Sequence, residues 1–202
     1  MKKLILCIML LSGCSVSVKL PETEIVPNQT VSIPIRIAYQ AGLEHKLTTR
    51  VRIAEAFESI EKEFRVRFDV QAETEFDPGW EPDDLITDLK VQMKALGCRS
   101  VNIQDGVPIL CIYNGKVLVD AGEDGAILGV TWGATMSLGN MSDRELFINV
   151  LRHEIGHLLG AGHSKDLMAP SLGRDGLKYL LPFPKEAVDE IKKRFFENFK
   201  PR

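Results

Sequence analysis

The stretch "HEIGHLLGAGHSKDLMAP", residues 153–170, holds three of the four histidines in a chain of 202 residues. His153 and His157 are four apart. On a helix that spacing sends both imidazoles from one face, a turn apart. Gly160 ends the helix, and Gly162 permits an unusual backbone angle, so the turn swings His163 back toward the other two. Three neutral imidazoles with a fourth position left for water is the pattern of a catalytic zinc site. Glu154 lies a quarter turn from His153 and need not ligate. Zinc lowers the pKa of its water toward ~7. Glu154 then takes the proton as general base and passes it to the leaving amine. The reading predicts Zn2+ as cofactor and hydrolysis of peptide bonds in a peptide or protein substrate. From the chain's own His, Glu and Gly content, the pattern HExxHxxGxxH arises by chance on the order of 10⁻⁵ times per chain. The rival is a catalytically silent, zinc-bearing binding protein. Glu154 argues against it, because a degenerate site would most easily lose its base.

Working outward, "MSDRELFINVLRHEIGHLLG" (141–160) predicts the helix that carries the motif, from about 143 to Gly160. Ser142 and Glu145 form a capping box, and Leu146, Val150, Leu151 and Leu158 make its apolar stripe. Upstream, "VSIPIRIAYQ" alternates at Val31, Ile33, Ile35, Ile37 and Tyr39 and predicts a strand. Pro34 places an edge or a strand start there. Residues 47–64 change to a helical period at Val51, Ala54, Phe57, Ile60 and Phe64. Val66, Phe68 and Val70 alternate again, so strand, helix and strand suggest a crossover pair in a parallel sheet. "EPDDLITDLKVQMKALG" (81–97) predicts a helix, and "SVNI" and "VPILCIY" predict strands. Asn114-Gly115 signals a tight hairpin into "KVLVDA". "AILGVTWG" (126–133) is strand-like, with Gly129 either weakening it or letting something approach closely. Pro184 opens a closing helix with Ala187, Val188, Ile191 and Phe195 facing inward.

"HEIGHLLGAGH" resembles the zinc-binding consensus of the metzincins. Ser164, directly after the third histidine, resembles the matrixin branch, and "DLMAP" resembles the Met-turn, with Met168 as its methionine. The order of elements is similar over roughly residues 30–200. The resemblance implies a zinc endopeptidase of α+β class. It would have a mixed, mostly parallel twisted sheet with an antiparallel edge strand, an active-site helix, a Met-turn and a C-terminal helix. It makes His153, His157 and His163 the metal ligands and Glu154 the base. Residues 127–133, including Gly129 and Val130, become the candidate edge strand that receives extended peptides. Val150 and the segment from Ala169 and Pro170 to Leu172 become candidates for the primed-side specificity pocket. The chain departs from the pattern in a short gap between His163 and Met168, and in Ala169 where a tyrosine often follows the methionine. Only His45 remains outside the motif, too few for a second, histidine-rich zinc site, and it reads as a solvated loop residue.

The N-terminus, "MKKLILCIMLLSGC", reads as a secretory signal peptide. It has a basic start and an apolar core too short to span a bilayer. "LSGC" resembles the bacterial lipobox, which implies cleavage before Cys14 and acylation of that cysteine; a plain signal peptide with an incidental cysteine is the alternative. In Gram-negative lipoproteins a serine after the cysteine, as at Ser15, goes with outer-membrane sorting. The expected layout is a signal peptide over 1–13, a tether over 14–29 and a catalytic domain over 30–202. The protein is then exported and anchored by lipid at an outer membrane or cell surface, as a monomer. Losing Lys2 and Lys3 lowers 25 basic residues to 23 against 28 acidic ones, a balance of −5. No basic run stands out, so a nucleic-acid partner has no electrostatic support. Cys98 and Cys111 remain after processing and either pair outside the cytoplasm or stay as buried thiols. "DAGEDG" (120–125) can hold Ca2+ through carboxylates and carbonyls, though it reads more simply as a solvated acidic turn.

Overall fold

The computed structural model describes residues 30–77, 107–114, 118–119, 126–169 and 178–197. Strand β1 (Val31–Gln40) leads into helix α1 (Lys46–Phe64) and strand β2 (Val66–Phe76). Strands β3 (Ile109–Asn114), β4 (Leu118–Val119), β5 (Ala126–Ile127), β6 (Gly129–Trp132) and β7 (Thr135–Asn140) follow. Helix α2 (Arg144–Leu158), a 3₁₀ turn at Asp166–Met168 and helix α3 (Lys185–Glu197) complete the described chain. The main sheet runs β2-β1-β3-β7-β6. β2, β1, β3 and β7 are parallel, and β6 is an antiparallel edge strand. The expected sheet is therefore present, with the candidate edge strand at its edge.

Helices α1 and α2 pack on one face of this sheet. Their buried residues join Ile33, Ile35, Ile37 and Tyr39 of β1, Leu110 and Ile112 of β3, and Met136 and Leu138 of β7 in one core. A smaller cluster on the other face holds Ala38, Phe76, Ile109, Cys111 and Tyr113. A bulge decides which core β2 serves. The pairing register slips between Ile35 and Arg36, so Val70 opposes Ile35 and Ala72 opposes Arg36. The extra residue turns the strand over. Val66 and Phe68 therefore enter the helix-side core while Phe76 enters the other. Val70, expected inside, lies at the slip and is exposed.

Other expectations are corrected. α1 buries Thr49, Ile53, Ala56, Phe57, Ile60 and Phe64, so its apolar face is rotated away from Val51 and Ala54, which are exposed. Pro34 lies in an interior strand, but β1 pairs only with β2 over that half, since its described pairing with β3 starts at Arg36. The missing donor therefore costs no ladder bond to β3. Gly115 lies outside the described residues, and among those described β3 and β4 do not pair as the expected hairpin would. β3 pairs with β1 and β7, while β4 pairs with β5 in a separate two-stranded sheet. The N-cap of α2 is Asp143, whose carboxylate accepts from Leu146 N at 2.7 Å, in place of the expected Ser142. The narrow stripe expected on α2 is replaced by burial nearly all round from Phe147 to Gly156. α3 buries Ala187 and Ile191 as expected.

The residues expected to form the signal peptide, tether, second helix, "SVNI" strand and acidic loop lie outside the described residues, as do Cys14, Cys98 and Pro170 and the side chain of Phe195. Cys111 is engaged in a disulfide. Among the described residues no helix is long and apolar enough to cross a membrane.

Candidate active site

The histidine cluster is assembled by one helix and the turn after it. α2 presents His153 and His157 four residues apart, with their ring centroids 4.6 Å apart. The helix closes when Gly160 N donates to His157 O and Ala161 N to Gly156 O. Gly160 takes φ +102°, a conformation that L side chains rarely adopt. Gly162 is not in the left-handed region, so the reversal belongs to Gly160. Gly162 N instead donates to Glu190 Oε2 of α3 at 2.9 Å, tying the turn to the closing helix. His163 returns with its Nε2 3.1 Å from that of His157, and the Nε2 atoms of His157 and His153 are 2.9 Å apart.

The other ring nitrogens determine what those three atoms are. His153 Nδ1 donates to Leu167 O at 2.6 Å, and His157 Nδ1 donates to Ala161 O at 2.8 Å. A carbonyl only accepts, so each Nδ1 carries a proton. Burial holds the His153 imidazole down at about 4 and lowers that of His157, so both rings are neutral at pH 7. A neutral ring has one N–H, which leaves both Nε2 atoms as bare lone pairs facing each other. Two acceptors at that distance repel unless they share a cation. With a ring nitrogen of His163, these atoms all lie within 4.8 Å of one another and fit a zinc ion, and backbone carbonyls such as those behind His153 and His157 are a usual outer shell of such sites.

Glu154 points from α2 toward β6. Its Oε2 accepts from Thr131 Oγ1 at 2.6 Å. Burial raises its carboxyl to about 7, against the lowering effect of the Thr131 hydrogen bond. Gly129 explains how the carboxyl fits. A Cβ there would lie 2.7 Å from both Glu154 Oε1 and Val150 Cγ1, closer than real Cβ atoms come. The close approach allowed for at Gly129 is thus that of Glu154. Val150 is buried beside it. Val130 packs toward the second cluster on the far face of the sheet, so any binding role for it falls to its backbone.

Met168 is fully buried. A Cβ at Gly156 would come within 2.6 Å of its Sδ, so the glycine inside α2 makes room for the methionine. The short gap after His163 is closed by the 3₁₀ turn. Asp166 takes φ 49°, Met168 N donates to Lys165 O and Ser164 N donates to Met168 O. That turn also presents the Leu167 carbonyl to His153. Ala169 follows, half-buried.

Sequence reasoning missed Thr131, Gly156, Glu190 and the carbonyls of Leu167 and Ala161. Two signals were available. Thr131 is two residues from Gly129 and shares its face of the strand. Glycine inside a helix costs about 1 kcal/mol, so its presence points to a packing need.

No family model matches the chain, and no curated protein matches it. Among solved structures it is similar to archaemetzincin from Methanopyrus kandleri, at 15% identity and TM-score 0.62, over 85% of this chain and 99% of that one. It is also similar to metalloproteinase-II from Bacteroides fragilis, at 15% identity and TM-score 0.51, over 90% of this chain. A chain in a chaperone-substrate complex matches at 10% identity and TM-score 0.52, over 86% of this chain. This chain spans 58% of the Bacteroides protein and 36% of the chaperone-complex chain. It therefore shares the fold of archaemetzincin and of the Bacteroides metalloproteinase, and it carries a three-histidine group that can hold a metal ion.

Proposed function

We propose that this protein is a zinc-dependent endopeptidase. The observation that carries the reading is the pair of neutral imidazoles whose bare Nε2 atoms face each other at 2.9 Å, with His163 Nε2 alongside. His153, His157 and His163 would hold the ion. Zinc bound there supplies a Lewis acid that polarises the scissile carbonyl and acidifies water. Glu154 accepts the proton of the attacking water and returns it to the departing amine. Its buried position on α2, held by the Thr131 hydroxyl, keeps the carboxyl in one place for both halves of that task. β6 has a strand neighbour on one side only among the described residues, so an extended peptide can add along its other side by backbone pairing. Gly129, Val150, Ala169 and Pro170 would line the cleft beside it. Met168, packed against Gly156, would be the Met-turn methionine, and Ser164 supports the finer likeness to the matrixin branch. Export and acylation at Cys14 would hold the enzyme, a monomer, at a bacterial membrane.

Incubating the purified protein with unfolded casein, with and without a chelator, tests the activity. Cleavage that the chelator abolishes and zinc restores is expected. Glu154→Ala should retain one zinc and lose roughly 10²- to 10⁴-fold in turnover, the usual contribution of a general base. A zinc-loaded, folded protein that cleaves nothing would leave the binding-protein alternative. Labelled palmitate should enter the wild type and not Cys14→Ser.

A further inference from the structure

The edge strand does more than border the cleft. Gly129 and Thr131 are alternate residues of β6 and face α2 together. Thr131 Oγ1 lies 2.6 Å from Glu154 Oε2 and 3.0 Å from Glu154 O. A hydroxyl has one proton, and the shorter contact, to the carboxyl oxygen, receives it. The other carboxylate oxygen, Oε1, occupies the space that a side chain at residue 129 would fill. Glu154 is therefore gripped at one oxygen by a hydroxyl and given room at the other by a missing side chain. The sheet does not need that hydroxyl, because β6 is held to β7 by backbone pairing, with Thr131 opposite Met136.

We infer that Thr131 is the positioning residue for the Glu154 carboxylate, fixing the side chain that serves as base against the strand along which substrate would lie. The inference rests on the endopeptidase reading for its catalytic meaning. Its geometric content stands apart from that reading. Thr131 touches the base and, among its described contacts, no histidine. Its loss should therefore slow the chemical step without weakening the metal cradle. Outer contacts of this kind commonly contribute 10- to 100-fold.

The test uses the full mature protein as wild type, Thr131→Val and Thr131→Ser. Three quantities are read: kcat and KM on a quenched fluorescent peptide, zinc affinity by competition with a chromophoric chelator, and crystal structures of the zinc-loaded wild type and Thr131→Val. Thr131→Val should lower kcat about 10- to 100-fold, with KM and zinc affinity unchanged and the carboxylate displaced. Thr131→Ser should restore most of the rate. Wild-type kcat in Thr131→Val, a serine variant as slow as the valine one, reduced zinc affinity, or an unmoved carboxylate would each overturn the assignment. Thr131→Ala carries the same expectations without a bulky replacement, should the valine variant fail to fold. If the wild type cleaves no peptide, the endopeptidase reading fails, and the position of the carboxylate still decides the role of Thr131.

Discussion

Two kinds of scaffold build the histidine group, and they are unequal. His153 and His157 stand on α2, a helix buried nearly all round, and each is locked from behind by a carbonyl. His163 stands on an exposed turn, after a glycine in a left-handed conformation, and the turn is tied to α3 by Glu190. The helix obtains its geometry from a period of 3.6 residues, which is local. The turn obtains its geometry from a backbone angle that glycine adopts readily and from a long-range contact to α3. The two halves should therefore fail differently when disturbed.

The largest effect should come from the ligands. His153→Ala should abolish stoichiometric zinc binding and also lower thermal stability, because it opens a cavity beneath Leu167. His163→Ala should lose tight zinc binding while the apoprotein melts at the wild-type temperature. Metal analysis and melting curves separate the two. Equal melting losses in both variants would break the contrast between helix and turn.

Gly160→Ala should follow. A non-glycine residue at φ +102° is strained by roughly 1–3 kcal/mol. The new Cβ would also press on Arg194, 3.1 Å away. Zinc affinity should fall while helix content by circular dichroism holds. Wild-type affinity would show that the turn is not set by this angle.

Gly156→Ala probes the helix side. The added methyl meets Met168 Sδ at 2.6 Å, and overpacking of a core costs roughly 1–3 kcal/mol. About 1 kcal/mol of that is offset by the better helix propensity of alanine. A fall of a few degrees in Tm with zinc still bound is expected, and a rise would show that Met168 yields freely. Glu190→Ala should have the smallest effect, up to about tenfold in zinc affinity, since its contact is solvent-exposed. Unchanged affinity in an isothermal titration would remove α3 from the account of how His163 is held.

Much of this was legible in the chain. The spacing of His153 and His157 and the glycine at which the helix ends were readable from local rules, and a close approach was one of the two readings that Gly129 allowed. The antiparallel edge strand came with the resemblance those residues carry. β7 was not readable. "TMSLGN" carries serine, glycine and threonine in a strand buried on both faces between β3 and β6, so neither alternation nor an apolar run marks it. The apolar face of α1 was misplaced because Thr49 is buried and Val51 is exposed. Tertiary packing overrode the hydrophobic pattern there. The bulge in β2 is likewise invisible, because it exists only in the pairing with β1.

The amino-acid order alone determined which atoms can bind a metal and which carboxyl can move a proton, because helical periodicity and donor chemistry act within a few residues. Only the folded chain decided that both helical histidines present bare Nε2 atoms, since Leu167 O and Ala161 O must arrive to hold the opposite nitrogens. Only the folded chain, too, brought Thr131, 23 residues away, and the empty place at Gly129 against Glu154. Local bonding rules reach about one turn of helix. Beyond that, packing decides which groups meet.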